Sequence, residues 1–452
     1  MQGLIASSAH RVVVGLGVTG LSCARHLHKQ GASFSVIDTR RNPPGLAELN
    51  AEMPEVKAYT GVYPVALVEN ASELIVSPGI AMDDPVVRQA LAADVPVVGD
   101  VDLFVREARA PVIGITGSNA KSTVTELVGQ MAAAAGLDVG VGGNLGPPAL
   151  ELLEDARQLY VLELSSFQLE RAGELSLAVA TVLNVSADHL DRHGSMPAYH
   201  AAKHRIFRGC DKVVVNRDDP LTIPLVEPRV EVISWRMGEP ELDGFGVREI
   251  DGCHWICHGY ESLTKVDEMG LVGRHNLANA LAALALGHGA GLERESMLTA
   301  LRSFRGLPHR CQQVAEVGGV RYIDDSKGTN VGATEAALAG LGGEGTLILL
   351  AGGQGKGADF SKLRGPVTRH CKRLVLFGED ADLIASCLEG CAPVTRVETI
   401  EAAVETAVNH AEHGDTVLLS PACASLDMFS SYVARGEAFQ AAVQATVGVA
   451  DD

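Results

Sequence analysis

The stretch "GITGSNAKSTVTELV" places Lys121 and Ser122 at the spacing of a phosphate-binding loop. In the loop G-x-x-x-x-G-K-[ST], backbone N–H groups surround phosphate oxygens, the lysine reaches the β- and γ-phosphates, and the hydroxyl binds Mg²⁺. Here Ile115 and Ala120 occupy the two glycine positions. A left-handed backbone costs a non-glycine residue ~1–2 kcal/mol, so we expect a negative φ at Ala120, with Gly117 supplying the freedom that the loop needs. The alternative is a plain strand–turn–helix with an exposed lysine.

Three later residues favour the nucleotide-binding interpretation. Glu163 ends an apolar strand in "VLELSSFQLE", where an isolated carboxylate is costly unless it is paired or bound to a metal. His189 in "LNVSADHLDRHG" follows the next strand, and Lys203 lies in the helical run "AYHAAKHRIF". Taken one at a time, each residue has an ordinary alternative explanation. Glu163 would pair with an arginine, His189 would cap a loop and Lys203 would be a surface lysine. As a set, Ser122, Glu163 and His189 offer oxygen and nitrogen ligands for Mg²⁺ beside a triphosphate.

The first strand and helix carry a second nucleotide signal. "RVVVGLGVTGLSCARHL" contains Gly15, Gly17 and Gly20 in the G-x-G-x-x-G pattern, and Asp38 ends the next strand. This fingerprint places a pyrophosphate at a helix N-terminus and a carboxylate on a ribose. An NAD-dependent dehydrogenase fits the pattern, and so does a protein that binds a UDP-sugar. Arg40 is a cation for an anionic ligand or a solvated side chain.

The segment "DGCHWICHG" raises the question of a metal site, because each of its cysteines has a histidine next to it. Asp251 and Gly252 form a hairpin-turn signal between two predicted strands. Cys253 and Cys257, four residues apart on a strand, lie ~13 Å apart, too far to share one ion. We therefore interpret them as packing residues of a hairpin.

These residues need a scaffold, and the pattern of short apolar strands alternating with Ala/Leu-rich helices predicts parallel, doubly wound sheets. Polar and glycine residues follow the apolar runs at the edge where open α/β sheets bind ligands. They are Gly15, Asp38, Gly79, Gly117, Glu163, Asn184, Asp325, Gly353 and Ser420. Three successive sheets are predicted, with the site or sites in the clefts between domains.

Composition narrows the class of protein. The chain has 452 residues, enough for about three domains, with 46% apolar and 21% charged residues. A formal net charge of -19 disfavours a general nucleic-acid binder. No apolar run approaches the ~18–20 residues that a membrane span needs, and the first residues lack the pattern of a secretion signal. The 9 scattered cysteines are typical of a reducing compartment, so we expect a cytoplasmic protein.

The motifs together resemble the ATP-dependent Mur ligases of peptidoglycan synthesis, relatives of folylpolyglutamate synthase, and the resemblance covers essentially the whole chain. In family order they are "GLGVTGLS", "DTR", "SPGI", "GITGSNAKST", "GGNLG", "LELSSFQLE", "NVSADHLDRH", "AAKHRIF", "GRHNLANALAA", "LPHR", "DDSKGTNVGATEAAL", "AGGQGKGADFS" and "SPACASLDMF". The resemblance implies an α/β fold of three domains, each built on a mostly parallel sheet. The expected domains are a Rossmann-like UDP-binding domain at 1–99, a P-loop ATPase-like domain at 100–306, and a Rossmann-like C-terminal domain at 307–452 that closes over ATP.

The resemblance also implies roles for individual positions. Four residues are expected to be catalytic: Lys121, Glu163, His189 and Lys203. The expected ATP contacts are Gly117, Ser118, Asn119, Ala120, Lys121, Ser122, Thr123, Asn279, Arg310, Asp325 and Lys327. The UDP-sugar positions are Val18, Thr19, Asp38, Thr39, Arg40, Gly79, Asn144 and His189. The D-glutamate positions are Thr329, Lys356, Ser425, Leu426 and Tyr432, the last in place of an expected phenylalanine.

The cofactor implied is Mg²⁺, as two ions held by Ser122, Glu163, His189 and Lys203. Lys203 matches a lysine that is carbamylated in the family, and a carbamate is an oxygen ligand that suits Mg²⁺. The implied substrates are ATP, UDP-N-acetylmuramoyl-L-alanine and D-glutamate, joined through an acyl phosphate. We expect a monomer that binds neither nucleic acid nor membrane.

Overall fold

The computed structural model of the protein describes residues 9–271 and 273–448. Residues 1–8, in which the sequence predicts no secretion signal, lie outside this range. The chain forms two compact units. The first runs up to Val185 and also contains Pro197–Lys265 and Ala280–Leu301; the second contains Ser186–Met196, Val266–Asn279 and the chain from Arg302 onward. The domain boundaries at 99/100 and 306/307 stay predictions.

The first unit begins with a five-stranded parallel sheet in the order β3-β2-β1-β4-β5. Its strands are β1 (Arg11–Val14), β2 (Phe34–Asp38), β3 (Ala58–Thr60), β4 (Glu73–Val76) and β5 (Val97–Val98). The helices of this part are α1 (Val18–Lys29), α2 (Leu46–Glu52), α3 (Val65–Glu69) and α4 (Pro85–Ala92). All five residues of β2 are buried, as expected for a parallel strand covered on both faces.

The second sheet of this unit has nine strands in the order β14-β13-β12-β11-β10-β9-β6-β8-β7. They are β6 (Val112–Thr116), β7 (Val139–Gly143), β8 (Leu159–Glu163), β9 (Val179–Val182), β10 (Lys212–Asn216), β11 (Glu231–Trp235), β12 (Phe245–Ile250), β13 (Cys253–His258) and β14 (Glu261–Lys265). The strands from β7 to β12 pair in parallel, and the last two join as antiparallel hairpins. The predicted turn is confirmed, because Asp251 and Gly252 connect β12 to β13 with φ of 51° and 73°.

The helices between Gly99 and the third sheet include those that carry the candidate site. They are α5 (Asp100–Glu107), α6 (Lys121–Ala134), α7 (Ser166–Leu169), α8 (Leu190–His193), α9 (Met196–His204), α10 (Arg274–Gly289) and α11 (Arg294–Ser303). Short 3₁₀ turns lie at Ala149–Leu152, Arg205–Phe207, Pro220–Thr222 and Val266–Glu268.

The second unit is built on a six-stranded sheet in the order β15-β16-β20-β17-β18-β19, parallel except for β15. Its strands are β15 (Gln312–Val317), β16 (Val320–Asp324), β17 (Leu347–Gly352), β18 (Cys371–Phe377), β19 (Val394–Arg396) and β20 (Thr416–Leu419). Its helices are α12 (Val331–Leu341), α13 (Arg364–His370), α14 (Ala381–Cys387), α15 (Ile400–Val408) and α16 (Tyr432–Val447), with a 3₁₀ turn at Phe360–Leu363. Apolar clusters pack on both faces of this sheet.

The prediction of three mostly parallel sheets is confirmed. The nine predicted strand-end residues all lie at, or within three residues past, the C-terminal end of a strand. Within the described ranges, no helix combines the length and the apolar character that a bilayer span requires.

Candidate active site

The phosphate-loop segment connects β6 to α6, and Asn184, just past β9, holds its main chain. The Ser118 N–H donates to the Asn184 carbonyl at 3.0 Å. The Asn184 side chain accepts from the Asn119 N–H at 2.9 Å and donates back to the Asn119 carbonyl at 3.1 Å. These two bonds, one accepted and one donated, have the pattern of main-chain hydrogen bonds between neighbouring strands. The loop is therefore held in place by the adjacent strand end.

The expectation for Ala120 is wrong. Its φ is 68°, so the residue before α6 adopts the left-handed conformation that glycine adopts in the P-loop pattern. Gly117 does not have a left-handed φ. Glycine is favoured there because a larger residue would be crowded: a Cβ would lie 3.1 Å from the Leu183 Cβ. Ala120 is therefore strained, because the contacts on either side of the turn into α6 hold it in the left-handed conformation. Such strain commonly accompanies ligand-binding loops.

Two lysines converge on one carbonyl of this loop. Lys121 Nζ donates to the Gly117 and Ser118 carbonyls at 2.9 and 3.0 Å. Lys203 Nζ, on α9 and only 1% exposed, donates to the same Gly117 carbonyl at 2.7 Å. The Tyr199 ring lies 4.5 Å from the Lys203 ammonium, and its hydroxyl is 3.0 Å from Ser118 Oγ. The unmodified Lys203 therefore lies beside the loop predicted to bind phosphate, and its carbamylation stays a prediction.

Glu163 at the end of β8 is buried, and each of its oxygens accepts from a neutral group. Ser122 Oγ donates at 2.5 Å and Asn144 Nδ2 at 2.6 Å. A buried carboxylate with neutral partners keeps its negative charge uncompensated, which is costly without a cation. The carboxylate and hydroxyl oxygens are ligands that Mg²⁺ prefers. This donor set therefore fits a magnesium ion, and it joins three of the predicted residues.

The glycine loop after β1 is held by Asp38. One carboxylate oxygen accepts from the Leu16 N–H at 2.8 Å, and the Arg40 guanidinium and N–H donate to Asp38 at 2.6–2.9 Å. Burial alone would raise the pKa of Asp38, but the hydrogen bonds from Arg40 and Leu16 hold it below its usual value. The remaining UDP-sugar candidates of the first sheet lie at exposed or half-buried positions past β1, β2 and β4. They are Val18, Thr19, Thr39 and Gly79.

In the second unit, Asp325 lies just past β16 and connects two loops. It accepts from Ser420 Oγ at 2.8 Å and from the Cys311 N–H at 3.2 Å. Burial raises the pKa of Asp325 to about 7, and the bonds from Ser420 and Cys311 and the charge of Arg310 oppose that rise. The Lys327 N–H donates to the His309 carbonyl at 3.0 Å. Arg310, Asp325 and Lys327 therefore lie close to one another, and their contact with ATP stays a prediction.

The predicted D-glutamate residues lie on three loops past β16, β17 and β20, or at the start of α16. Gln354 and Ala424 exchange two main-chain hydrogen bonds, which tie the loop of Lys356 to the loop of Ser425. Lys356 is exposed with φ of 53°, Ser425 is buried, and Leu426 is 66% exposed. The Tyr432 ring lies 4.3 Å from Lys327 Nζ. Thr329 follows Gly328, whose carbonyl accepts from the Ala422 N–H at 2.9 Å.

Two further predicted residues, His189 and Asn279, make contacts with neighbours in the sequence. His189 lies in the second unit with φ of 53°, and its Nε2 is 3.6 Å from an Asp188 carboxylate oxygen. Asn279 on α10 donates to Asn276 Oδ1 at 3.3 Å. Among the described residues, no three His, Cys, Asp or Glu side chains group closely enough to hold a metal ion by themselves.

The structure adds supporting residues that the sequence analysis did not assign to the site. Asn184 was identified as a strand-end residue, and that position was the signal for its role in the loop. Tyr199 and Arg435 had no such signal, because they act from the buried faces of helices. Arg435 is fully buried, donates to Ser326 and to the Cys423 carbonyl at 2.8–3.1 Å, and has its pKa lowered to about 10 by burial.

Comparison with known families covers all three sheets. Residues 9–99 match the Mur ligase MurD-like N-terminal domain, residues 115–287 the Mur ligase middle domain, and residues 309–423 the Mur ligase glutamate ligase domain.

Two similar proteins from different bacteria carry the same name. The chain is 55% identical to the UDP-N-acetylmuramoylalanine--D-glutamate ligase of Pseudomonas syringae, over 98% of this chain and 99% of that protein. The ligase of the same name from Nitrosococcus oceani is 50% identical over 97% of each chain.

Solved structures with the same fold include the UDP-N-acetylmuramate-alanine ligase MurC of Thermotoga maritima. It has a TM-score of 0.58 and 18% identity, over 97% of this chain and 99% of that chain. The MurF ligase of Thermotoga maritima in complex with ADP has a TM-score of 0.60 and 15% identity, over 99% of this chain and 98% of that one.

Proposed function

The chain belongs to the Mur ligase family, and we propose that it is the ligase that adds D-glutamate to UDP-N-acetylmuramoyl-L-alanine at the expense of ATP. The observation that carries this proposal is 55% identity over 98% of the chain to a ligase of that name. The geometry supports it, because Lys121, Ser122 and Glu163 lie together at the loop between β6 and α6. A dehydrogenase has no use for that arrangement. A folylpolyglutamate synthase needs no UDP-binding first domain.

In the first step, a carboxylate oxygen of the alanyl group attacks the γ-phosphorus of ATP, and ADP leaves. The reaction creates negative charge on the transferred phosphoryl group. In this proposal Lys121 stabilises that charge. The loop's main-chain N–H groups bind phosphate oxygens, except those of Ser118 and Asn119, which donate to Asn184. Ser122 and Glu163 would hold Mg²⁺, which neutralises phosphate charge when it is bound.

In the second step, the amine of D-glutamate attacks the acyl carbon of the acyl phosphate. The nitrogen releases a proton, and the tetrahedral intermediate collapses with cleavage of the carbon–oxygen bond to phosphate. Inorganic phosphate leaves and the amide remains. Lys356, Thr329 and Ser425 supply the cation and hydroxyls that a dicarboxylate requires. Because water destroys an acyl phosphate, its exclusion is part of the proposal.

The remaining assignments belong to the same proposal. Asn279, Arg310, Asp325 and Lys327 contact ATP, while Val18, Thr19, Asp38, Thr39, Arg40, Gly79, Asn144 and His189 contact the UDP-sugar. His189 and a carbamylated Lys203 would hold a second Mg²⁺. The protein is proposed to act as a cytoplasmic monomer in peptidoglycan precursor synthesis.

One assay tests the function. Phosphate release is measured with ATP, UDP-N-acetylmuramoyl-L-alanine, D-glutamate and Mg²⁺, and then with each component left out in turn. We expect sustained phosphate release only in the complete mixture, together with formation of the dipeptidyl product. Phosphate release that is indifferent to D-glutamate, or reduction of NAD, would contradict the proposal.

A matched pair of variants tests the site. Glu163→Gln keeps the size of the side chain but removes the charge that binds Mg²⁺. Losing an electrostatic stabiliser of the transition state typically costs ~10²–10³ in kcat. Glu126→Gln, on the same helix as Ser122, makes the same chemical change away from the loop, and its activity should equal that of the unsubstituted enzyme. Equal losses in both variants would remove the support for Glu163 as a ligand.

A further inference from the structure

Arg171 holds the main chain of the loop that follows β4. Its side chain is 4% exposed, and its guanidinium donates to one carbonyl at the end of β4 and to three carbonyls of the loop. The acceptors are Val76 at 2.9 Å, Ser77 at 2.7 Å, Pro78 at 3.3 Å and Ile80 at 2.6 Å. A guanidinium carries five N–H donors in a rigid plane, so it can bind several carbonyls at once.

The loop that Arg171 holds includes Gly79, a proposed contact of the UDP-sugar. Gly79 is exposed, and a Cβ there would meet no atom within 4 Å, so the space around it is open. The neighbouring carbonyls on either side are bound by the arginine. One side of the loop is therefore fixed in the protein interior while Gly79 faces open space.

Arg171 belongs to the segment that begins at Glu163, and that segment is itself anchored. Gln168 Nε2 donates to a buried oxygen of Asp100 at 2.9 Å, and the Gly173 N–H donates to Asp102 Oδ1 at 2.8 Å. Burial raises the pKa of Asp100. The arginine that holds the Gly79 loop lies eight positions after Glu163, the carboxylate proposed to bind Mg²⁺.

We propose that Arg171 is a positioning residue for the UDP-sugar: it fixes residues 76–80 in the conformation that binds this substrate. The inference rests on the proposed function, because it requires that Gly79 contact the UDP-sugar. Arg171 does not touch the reacting atoms. Its loss is expected to weaken binding of the UDP-sugar and to leave nucleotide binding at the loop between β6 and α6 unchanged.

The test measures two dissociation constants by calorimetry, one for UDP-N-acetylmuramoyl-L-alanine and one for Mg-ADP, each without the other substrates. In Arg171→Met we expect the first constant to rise at least tenfold and the second to change less than twofold. Arg171→Lys, which restores the charge and part of the donor set, should lie between. Hydrogen exchange should become faster at the amides of Ser77, Gly79 and Ile80 in Arg171→Met.

Arg157→Met is the matched control. Arg157 also donates to main-chain carbonyls of the first unit, those of Leu152 at 3.4 Å and Val139 at 3.5 Å, but it belongs to a different segment. Both constants should remain within twofold of the unsubstituted protein. If Arg171→Met does not fold, Arg171→Lys carries the test, with a threefold or greater rise in the UDP-sugar constant alone as the expected result.

The outcomes separate the inference from the function. Unchanged UDP-sugar binding in Arg171→Met overturns the inference and leaves the proposed function intact. Equal weakening of both ligands shows a general structural role and also overturns it. If the unsubstituted protein does not bind the UDP-sugar at all, the proposed function fails and the inference fails with it.

Discussion

Ala120→Gly is expected to stabilise the protein, because Ala120 has a φ of 68°. Removing the side chain relieves a left-handed conformation that costs alanine ~1–2 kcal/mol. Glycine gives the unfolded chain extra freedom, which offsets ~0.4–1 kcal/mol of that gain. The free energy of unfolding should therefore rise by about 0.5–1 kcal/mol. Lys121 and the loop N–H groups are unchanged, so the affinity for Mg-ADP should stay within twofold.

The measurement is urea unfolding followed by tryptophan fluorescence. The chain has 2 tryptophans, and both Trp235 and Trp255 belong to the nine-stranded sheet that contains β6, so the signal reports on the part of the protein that holds the loop. Ala133→Gly is the control, because Ala133 is an exposed position with ordinary helical geometry on the same helix. The free energy of unfolding of Ala133→Gly should be lower by about 0.5–1 kcal/mol. A loss of similar size in Ala120→Gly would show that residue 120 is not left-handed.

Three further changes have defined outcomes. Lys203→Ala should abolish ligation with the fold retained, and acetate or formate should restore part of the activity. Lys203→Arg should stay inactive. A fully active Lys203→Arg enzyme in buffer depleted of carbon dioxide would refute the carbamate. Lys356→Ala should raise the KM for D-glutamate by roughly one to two decades, because a charge-assisted contact of about 1.5–3 kcal/mol is lost. The KM for ATP should stay constant. Equal rises in both KM values would indicate a structural lysine. Burial raises the pKa of Asp325 from 3.8 to about 7, so the folded carboxyl keeps a proton that the unfolded chain releases. The free energy of unfolding should therefore fall from about pH 4 to about pH 7 and level off above, and Asp325→Asn should flatten that slope in urea titrations at each pH.

The scaffold was predictable because parallel strands have a strong sequence signal. Runs such as that of β6 are buried along their whole length and therefore read as unbroken apolar stretches. The residue after such a run lies at the edge where ligands bind, which is why Glu163, Asp325 and Ser420 could be identified from position alone. The short strands β3, β5 and β19 have only two or three residues, too few for such a pattern.

The supporting contacts of the site were harder to predict, because they depend on tertiary structure. Arg171 and Arg435 lie in or beside helices, where an arginine is usually solvated, and only the folded chain shows that each is buried against carbonyls. The error at Ala120 has a different origin. The local cost of a left-handed alanine favours a negative φ, but the surrounding contacts of the loop determine the conformation and outweigh that cost.

The hydrogen bonds between Asn119 and Asn184 have a consequence for how nucleotide binds. They join the loop to a strand end of the same sheet, so the loop's main chain is ordered by folding. An unstructured loop would have to lose its conformational freedom when the ligand arrives, at ~1–2 kcal/mol per residue. Here that entropy is lost before binding, and more of the phosphate contact energy is available as affinity. Association of Mg-ADP with this loop should accordingly show a rate that increases linearly with nucleotide concentration, without the plateau that a slow ordering step would impose.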